Sequence, residues 1–135
     1  HWEGFSSDDH NLFLNNRGGA LLECNPSDFI ESDQFPLNKK CNYPFYKLFI
    51  DWDGAVLSCS NDWFRKSVIG NVLDQDICEI WFSSKQNELR NRLLQGNRNC
   101  ELCGRCDVDG SLFGQTSVDA VLASKYWDLD KPGIE

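Results

Sequence analysis

Four cysteines stand at intervals that could frame one metal centre. Cys41 is followed after twelve residues by Gly54 and after four more by Cys59, and Cys103 and Cys106 are separated by two residues. Thiolates are soft anionic donors, so four of them suit zinc or an iron–sulfur cluster far better than an apolar core. A CxxC places two sulfurs on one tight turn, whose free backbone amides can hydrogen-bond to them. Alone, that pair is a weak signal, because redox pairs and zinc knuckles share it. A second pair on a preceding hairpin strengthens it. The chain carries seven cysteines in 135 residues, more than packing explains.

The remaining cysteines have plainer readings. Cys24 lies in a turn-rich segment ahead of the first pair and reads as a buried or free thiol. Cys78 precedes Glu79 on an expected helix and reads as a packing residue. Cys100 is the competitor, since it could replace Cys103 in a partly assembled site. Seven is odd, whereas a secreted disulfide scaffold of this size pairs its thiols. The N-terminus lacks the basic start and apolar stretch of an export signal. The expectation is a reducing, cytoplasmic compartment in which thiolates stay free for metal.

Composition narrows the partners. Apolar residues make up 41% and aromatics 13%, enough for a folded core. A formal charge of −8 argues against nucleic acid and anionic membrane as partners. No apolar run reaches the roughly 18 residues that a spanning helix needs. The chain contains no methionine, which reads as a piece of a longer protein with further machinery ahead of His1.

Secondary elements must position these thiols. Asp53-Gly54 between apolar runs predicts a hairpin over residues 45–60 with a two-residue type I′ loop. In that register Trp52 faces Ala55, Ile50 faces Leu57 and Leu48 faces Cys59. Leu48, Ile50, Leu57 and Cys59 then share one apolar face. Pro44 restricts the lead-in that carries Cys41. Val68 to Val72 reads as a short connection with a turn. Asp74 or Asp76 then caps one helix running to about Gln95, with Ile77, Ile80, Trp81, Leu89 and Leu93 inward and Gly96 as its stop. A shorter helix is expected from about Val118 to Trp127. The N-terminal 40 residues look irregular, with Leu12-Phe13-Leu14 and Ala20-Leu21-Leu22 as short strands or packing segments. The expected class is α+β, a β-hairpin packed by a helix around a four-cysteine metal centre. It divides into an irregular segment (1–40), the cysteine domain (41–109) and a C-terminal helix and tail (110–135).

Other residue types add little. His1 and His10 are isolated and read as solvated. Asp51, Asp53, Asp107 and Asp109 read as turn formers rather than acid–base groups. Phe45, Phe49, Trp52, Trp63 and Trp81 read as core. Arg98 and Arg105 could offset thiolate charge, although exposed loop positions are the simpler reading.

A longer pattern now emerges. It runs through Cys41, Tyr43-Pro44-Phe45, Ile50-Asp51, Asp53-Gly54, Val56, Cys59, Asp62-Trp63, Ile69-Gly70-Asn71-Val72, Glu79-Ile80-Trp81, Leu102-Cys103 and Cys106-Asp107. This closely resembles the SPASM/twitch region of radical SAM enzymes, over about residues 41–109. The resemblance implies a hairpin and helix downstream of a radical-generating barrel, holding an auxiliary [4Fe–4S] cluster. It implies Cys41, Cys59, Cys103 and Cys106 as the ligands. No cysteine follows Cys106, so the chain looks like the shorter twitch form with one cluster. The CxxxCxxC that binds the SAM-cleaving cluster is absent, and Cys100-x2-Cys103-x2-Cys106 is one residue too short to be it. S-adenosylmethionine would therefore bind only in an upstream domain.

Two functions of different class follow. One is an auxiliary electron-transfer or substrate-positioning domain of a radical SAM oxidoreductase or modifying enzyme, not catalytic alone. Its implied partners are the upstream barrel, a reductant such as ferredoxin or flavodoxin, and a peptide or small-molecule substrate. The other is a structural zinc module whose four thiolates pin hairpin to loop as an interaction platform.

Overall fold

A computed structural model describes residues 15–24 and 35–127, without the side chains of Glu23 and Cys24. His1, His10, Leu12-Phe13-Leu14 and the Cys24 thiol lie outside the described residues. The elements run α1 (Ala20–Cys24), a 3-10 turn (Tyr43–Phe45), β1 (Phe49–Ile50), β2 (Ala55–Leu57), β3 (Val68–Asn71), α2 (Ile77–Trp81), α3 (Ser84–Leu94) and α4 (Gln115–Leu122). The class is α+β, as expected. Ala20–Leu22, read from pattern as strand or packing segment, belongs to a helix.

The hairpin forms one residue away from the expected register. Phe49 pairs with Leu57 and Ile50 with Val56. The loop is the reason. Asp51 N–H donates to Ala55 O at 2.8 Å, so Trp52, Asp53 and Gly54 all belong to the turn. A type I′ loop needs positive φ at two residues, but only Gly54 takes it there, at +83°. The Asp53 carboxylate instead accepts from Ala55 N–H (3.1 Å) and pairs with Arg65 (2.6 Å). On the edge strand β1 both Phe49 and Ile50 are exposed, at 42% and 50%, while Val56 of the central strand is fully buried.

Val68–Asn71, expected to be a connection, is the third strand. It pairs antiparallel with β2 through a bulge at Val56/Leu57, giving the sheet order β1-β2-β3. The single expected helix is two. Asp76 caps α2 by accepting from Cys78 N–H at 2.8 Å. Ser83 then starts α3 by accepting from Gln86 N–H at 3.4 Å, and that local bond favours a fresh N-terminus over helix continuation. Gly96, at φ +72°, follows the end of α3 as expected. The last helix starts earlier and stops earlier than its apolar pattern suggested.

Two apolar clusters hold the frame. Val56, Ile69 and Ile80 join sheet to α2, with Leu48 and Val72 against them. Phe45, Val118 and Val121 join the 3-10 turn to α4, with Trp81, Leu94 and Trp127 against them. Arg90, 0% exposed, ties α3 to both regions. It donates to Pro44 O (2.9 Å), Trp81 O (2.6 Å) and Asn87 Oδ1 (2.8 Å), and burial pushes its pKa down to about 10. Of the aromatic set expected inside, Phe45 is buried and Trp81 packs on the core. Phe49, Trp52 and Trp63 are exposed instead, Trp52 at 89% on the hairpin turn. Among the described residues no helix is long and apolar enough to cross a membrane.

Candidate metal centre

Cys41, Cys59, Cys103 and Cys106 all lie outside helices and strands. Cys41 stands just ahead of the 3-10 turn that Pro44 helps start. Cys59 follows β2 by two residues, and the CxxC sits in the turn-rich loop after α3. Three of these sulfurs accept a hydrogen bond from the backbone two residues on. Asn61 N–H reaches Cys59 Sγ at 3.5 Å, and Tyr43 and Val108 serve Cys41 and Cys106. Such bonds favour the thiolate form that a metal needs.

The four thiols border one cavity of about 20 Å3, otherwise walled mainly by Pro44, Leu89, Leu93, Leu102 and Val108. Among the described residues no carboxylate or imidazole lines it. At that size the void holds about one water, so taking up a larger group requires the thiol-bearing loops to move apart. Gly110 leaves the space that Cys41 fills, since a Cβ there would stand 2.1 Å from Cys41 Sγ. Donor chemistry and apolar wall together suit an iron–sulfur cluster.

Of the remaining cysteines, Cys100 stays beside the group and Cys78 lies away from it. Cys100 borders a different cleft, of about 340 Å3, while its sulfur accepts a hydrogen bond from Cys103. Cys78, expected to pack, is exposed, because five-residue α2 buries only Ile80.

Polar clamps bring the loops together. Asn42 N–H donates to Gly110 O at 2.8 Å, and its amide donates to Phe113 O at 3.0 Å. The N-terminal segment joins in. Asn16 N–H bonds the Asp107 carboxylate at 2.9 Å, and its amide donates to Arg105 O at 2.6 Å. Arg98, expected on an exposed loop, is 2% exposed and borders the cavity. Sequence reasoning missed its burial, and it missed Gly110 and Asn16. Only the Asp109-Gly110 dipeptide offered a turn signal. Asp109 accepts from Ser111 N–H in a turn, as expected, whereas Asp107 serves the clamp to Asn16. The Lys39 and Ser111 hydrogen bonds, Ser111's first, hold the Asp109 carboxyl down at about 2.

Burial raises the thiols. It pushes Cys59 up to about 11 and moves Cys41 and Cys106 the same way. The hydrogen bond that Cys103 donates to Cys100 raises Cys103 and lowers Cys100, with burial adding to the rise of Cys103. In the metal-free chain the four cavity sulfurs therefore hold their protons, and ligation must release them.

Among the described residues, four thiols border one largely apolar cavity within a small α+β frame. Residues 41–107 match the SPASM iron–sulfur cluster-binding domain and belong to that family. The chain is 32% identical to the S-adenosyl-L-methionine-dependent 2-deoxy-scyllo-inosamine dehydrogenase of Niallia circulans, over 74% of this chain and 38% of that enzyme. It is also similar to the crystal structure of BtrN in complex with AdoMet and 2-DOIA. The TM-score there is 0.59 at 33% identity, covering 73% of this chain and 36% of that one. Selenomethionine BtrN in an open conformation matches at TM-score 0.52 and 32% identity, over 54% and 35% of the two chains. The chain thus spans little more than a third of the length of these relatives.

Proposed function

We propose that this chain holds one [4Fe–4S] cluster through Cys41, Cys59, Cys103 and Cys106, as the auxiliary domain of a radical SAM oxidoreductase. One observation carries the ligand set. These four thiols border a single cavity, while Cys100 opens on another and Cys78 on solvent. When bound, a cluster with four thiolate ligands supplies one-electron transfer and leaves no open iron for substrate. The chain's own residues hold it, exclude water with the leucine wall and offset its charge.

A zinc fastener would take the same four thiolates, and the family match is what favours iron–sulfur over it. Among the described residues no three His, Cys, Asp or Glu side chains are gathered tightly enough to hold a single metal ion. The dehydrogenase relative supports an upstream SAM-binding barrel in the parent protein and a small hydroxylated amine as the substrate class. A ferredoxin or flavodoxin would supply electrons.

Iron and sulfide analysis of anaerobically prepared protein tests this. Replacing Cys41, Cys59, Cys103 or Cys106 singly by alanine is expected to abolish the full cluster and its visible charge-transfer absorption. Cys78→Ala is expected to keep both. A full cluster in Cys59→Ala would sink the assignment. The reconstituted chain alone is expected to release no 5′-deoxyadenosine from SAM, since it has no three-cysteine motif that leaves an iron open.

A further inference from the structure

We infer that Arg98 both spaces the thiol-bearing loops and raises the reduction potential of the cluster, a role that rests on the cluster reading above. Its guanidinium donates from Nε to Lys39 O at 2.8 Å, from Nη2 to Lys40 O at 3.0 Å and from Nη1 to Val108 O at 2.7 Å. The first two acceptors stand directly ahead of Cys41, and the third lies two residues beyond Cys106. One planar fork therefore fixes the Cys41 lead-in against the far side of the CxxC turn. A lysine ammonium, a single point of charge, cannot reproduce that geometry.

The same group borders the cysteine cavity, and its charge acts on the sulfurs of Cys41 and Cys106. It makes no ion pair with a carboxylate among the described residues. A buried cation without a counter-ion is costly, and carbonyl oxygens offset only part of that cost. A cluster with four thiolate ligands is net negative and would supply the missing anion. The effect works both ways, since a fixed positive charge favours the reduced, more negative state. Net charge and hydrogen bonds to sulfur are among the levers that set such potentials. Three of the five guanidinium N–H groups are engaged by these carbonyls, which leaves donors for cluster sulfur.

Two substitutions separate spacing from charge. Arg98→Lys keeps the charge and loses the fork, whereas Arg98→Gln keeps amide donors and loses the charge. Each loaded protein is compared with wild type by iron content, by the rate of cluster loss to a chelator, and by potentiometric titration followed by EPR. Both variants are expected to lose the cluster faster. Only Arg98→Gln is expected to shift the potential clearly downward. An Arg98→Gln cluster with wild-type potential overturns the charge role, and wild-type release rates in both variants overturn the spacing role. A wild-type chain that takes up no iron defeats the cluster reading instead. Should neither variant retain a cluster, wild-type protein carrying isotope-labelled arginine decides. Pulsed EPR of its reduced cluster, with the label at the guanidinium nitrogens and the measurement repeated in Arg105→Lys, is expected to show coupling that persists in that variant, and absence of that coupling overturns the inference.

Discussion

Around the sheet, β2 buries all three of its residues, and Val56, Ile69 and Ile80 close an apolar cluster with contributions from strand and helix. Around the thiols the ties are of another kind. Arg98 reaches back to residues 39 and 40 and forward to 108, and Asn16 reaches residues 105 and 107. These are side-chain bonds to backbone or carboxylate across long stretches of sequence, round a cavity whose anionic donors are thiols. The sheet side recovers free energy from water as soon as it collapses. The cysteine side must first close several long loops, which costs chain entropy, and then bring four thiols together. One half can fold by its own burial, and on the proposed reading the other is expected to lean on its cofactor.

Removing the cluster should expose that difference most strongly. Amide exchange of residues 97–109 is expected to accelerate by orders of magnitude on chelation, while residues 45–59 stay protected by the sheet and its apolar face. Comparing exchange in the loaded and metal-free protein checks this. Equal protection of the loop in both states would show that the polar clamps suffice, and the contrast between the two sides would collapse.

A smaller effect separates the two sides by pH. In the metal-free fold, burial raises the Cys59 pKa from 9.0 to about 11, with Cys41 and Cys106 also raised. The folded state thus holds these protons more tightly than the unfolded one. Their contribution to stability is intact below pH 9.0 and falls as pH rises toward about 11. For Cys59 alone the loss is on the order of 3 kcal/mol. Cys100, shifted downward, contributes in the opposite sense at lower pH. In the loaded protein these sulfurs are already thiolates, so its melting temperature should be nearly flat over the same window. Parallel melting curves for the two forms would refute the assignment of these thiols as ligands.

The same contrast explains what could be read from the chain. That these four thiols border one cavity was legible through their spacing and the family pattern, the α2 cap only as Asp74 or Asp76, and the Gly96 stop because a helix end is written in one residue. The hairpin's existence followed from Asp53-Gly54. Its register did not, since Arg65 engages the Asp53 carboxylate from twelve residues away. β3 escaped because its four residues show no in–out alternation, with only Ile69 buried. Ser83 looked like any polar residue on a helix until its hydroxyl served as a cap. Arg98 was the largest miss. Its partners are main-chain carbonyls at 39, 40 and 108, and carbonyls carry no mark in a sequence. Burial of a charge by backbone acceptors is a property of the folded loops alone.

The least drastic way to sharpen the comparison is a change confined to the sheet side. Asp76 accepts from Cys78 N–H at 2.8 Å at the start of α2, and α2 contributes Ile80 to the cluster beside the sheet. Alanine at this position leaves a helix N–H without its acceptor, which costs about 1 kcal/mol. The loss should appear as a lower melting temperature in the loaded and the metal-free protein alike, because α2 carries no cavity thiol. Cluster content, visible absorption and reduction potential are expected to match wild type. If Asp76→Ala instead lowers iron content or moves the potential, the two sides are mechanically coupled through α3, whose Leu89 and Leu93 line the cavity. The apolar frame would then be part of the ligand-positioning machinery rather than its neighbour.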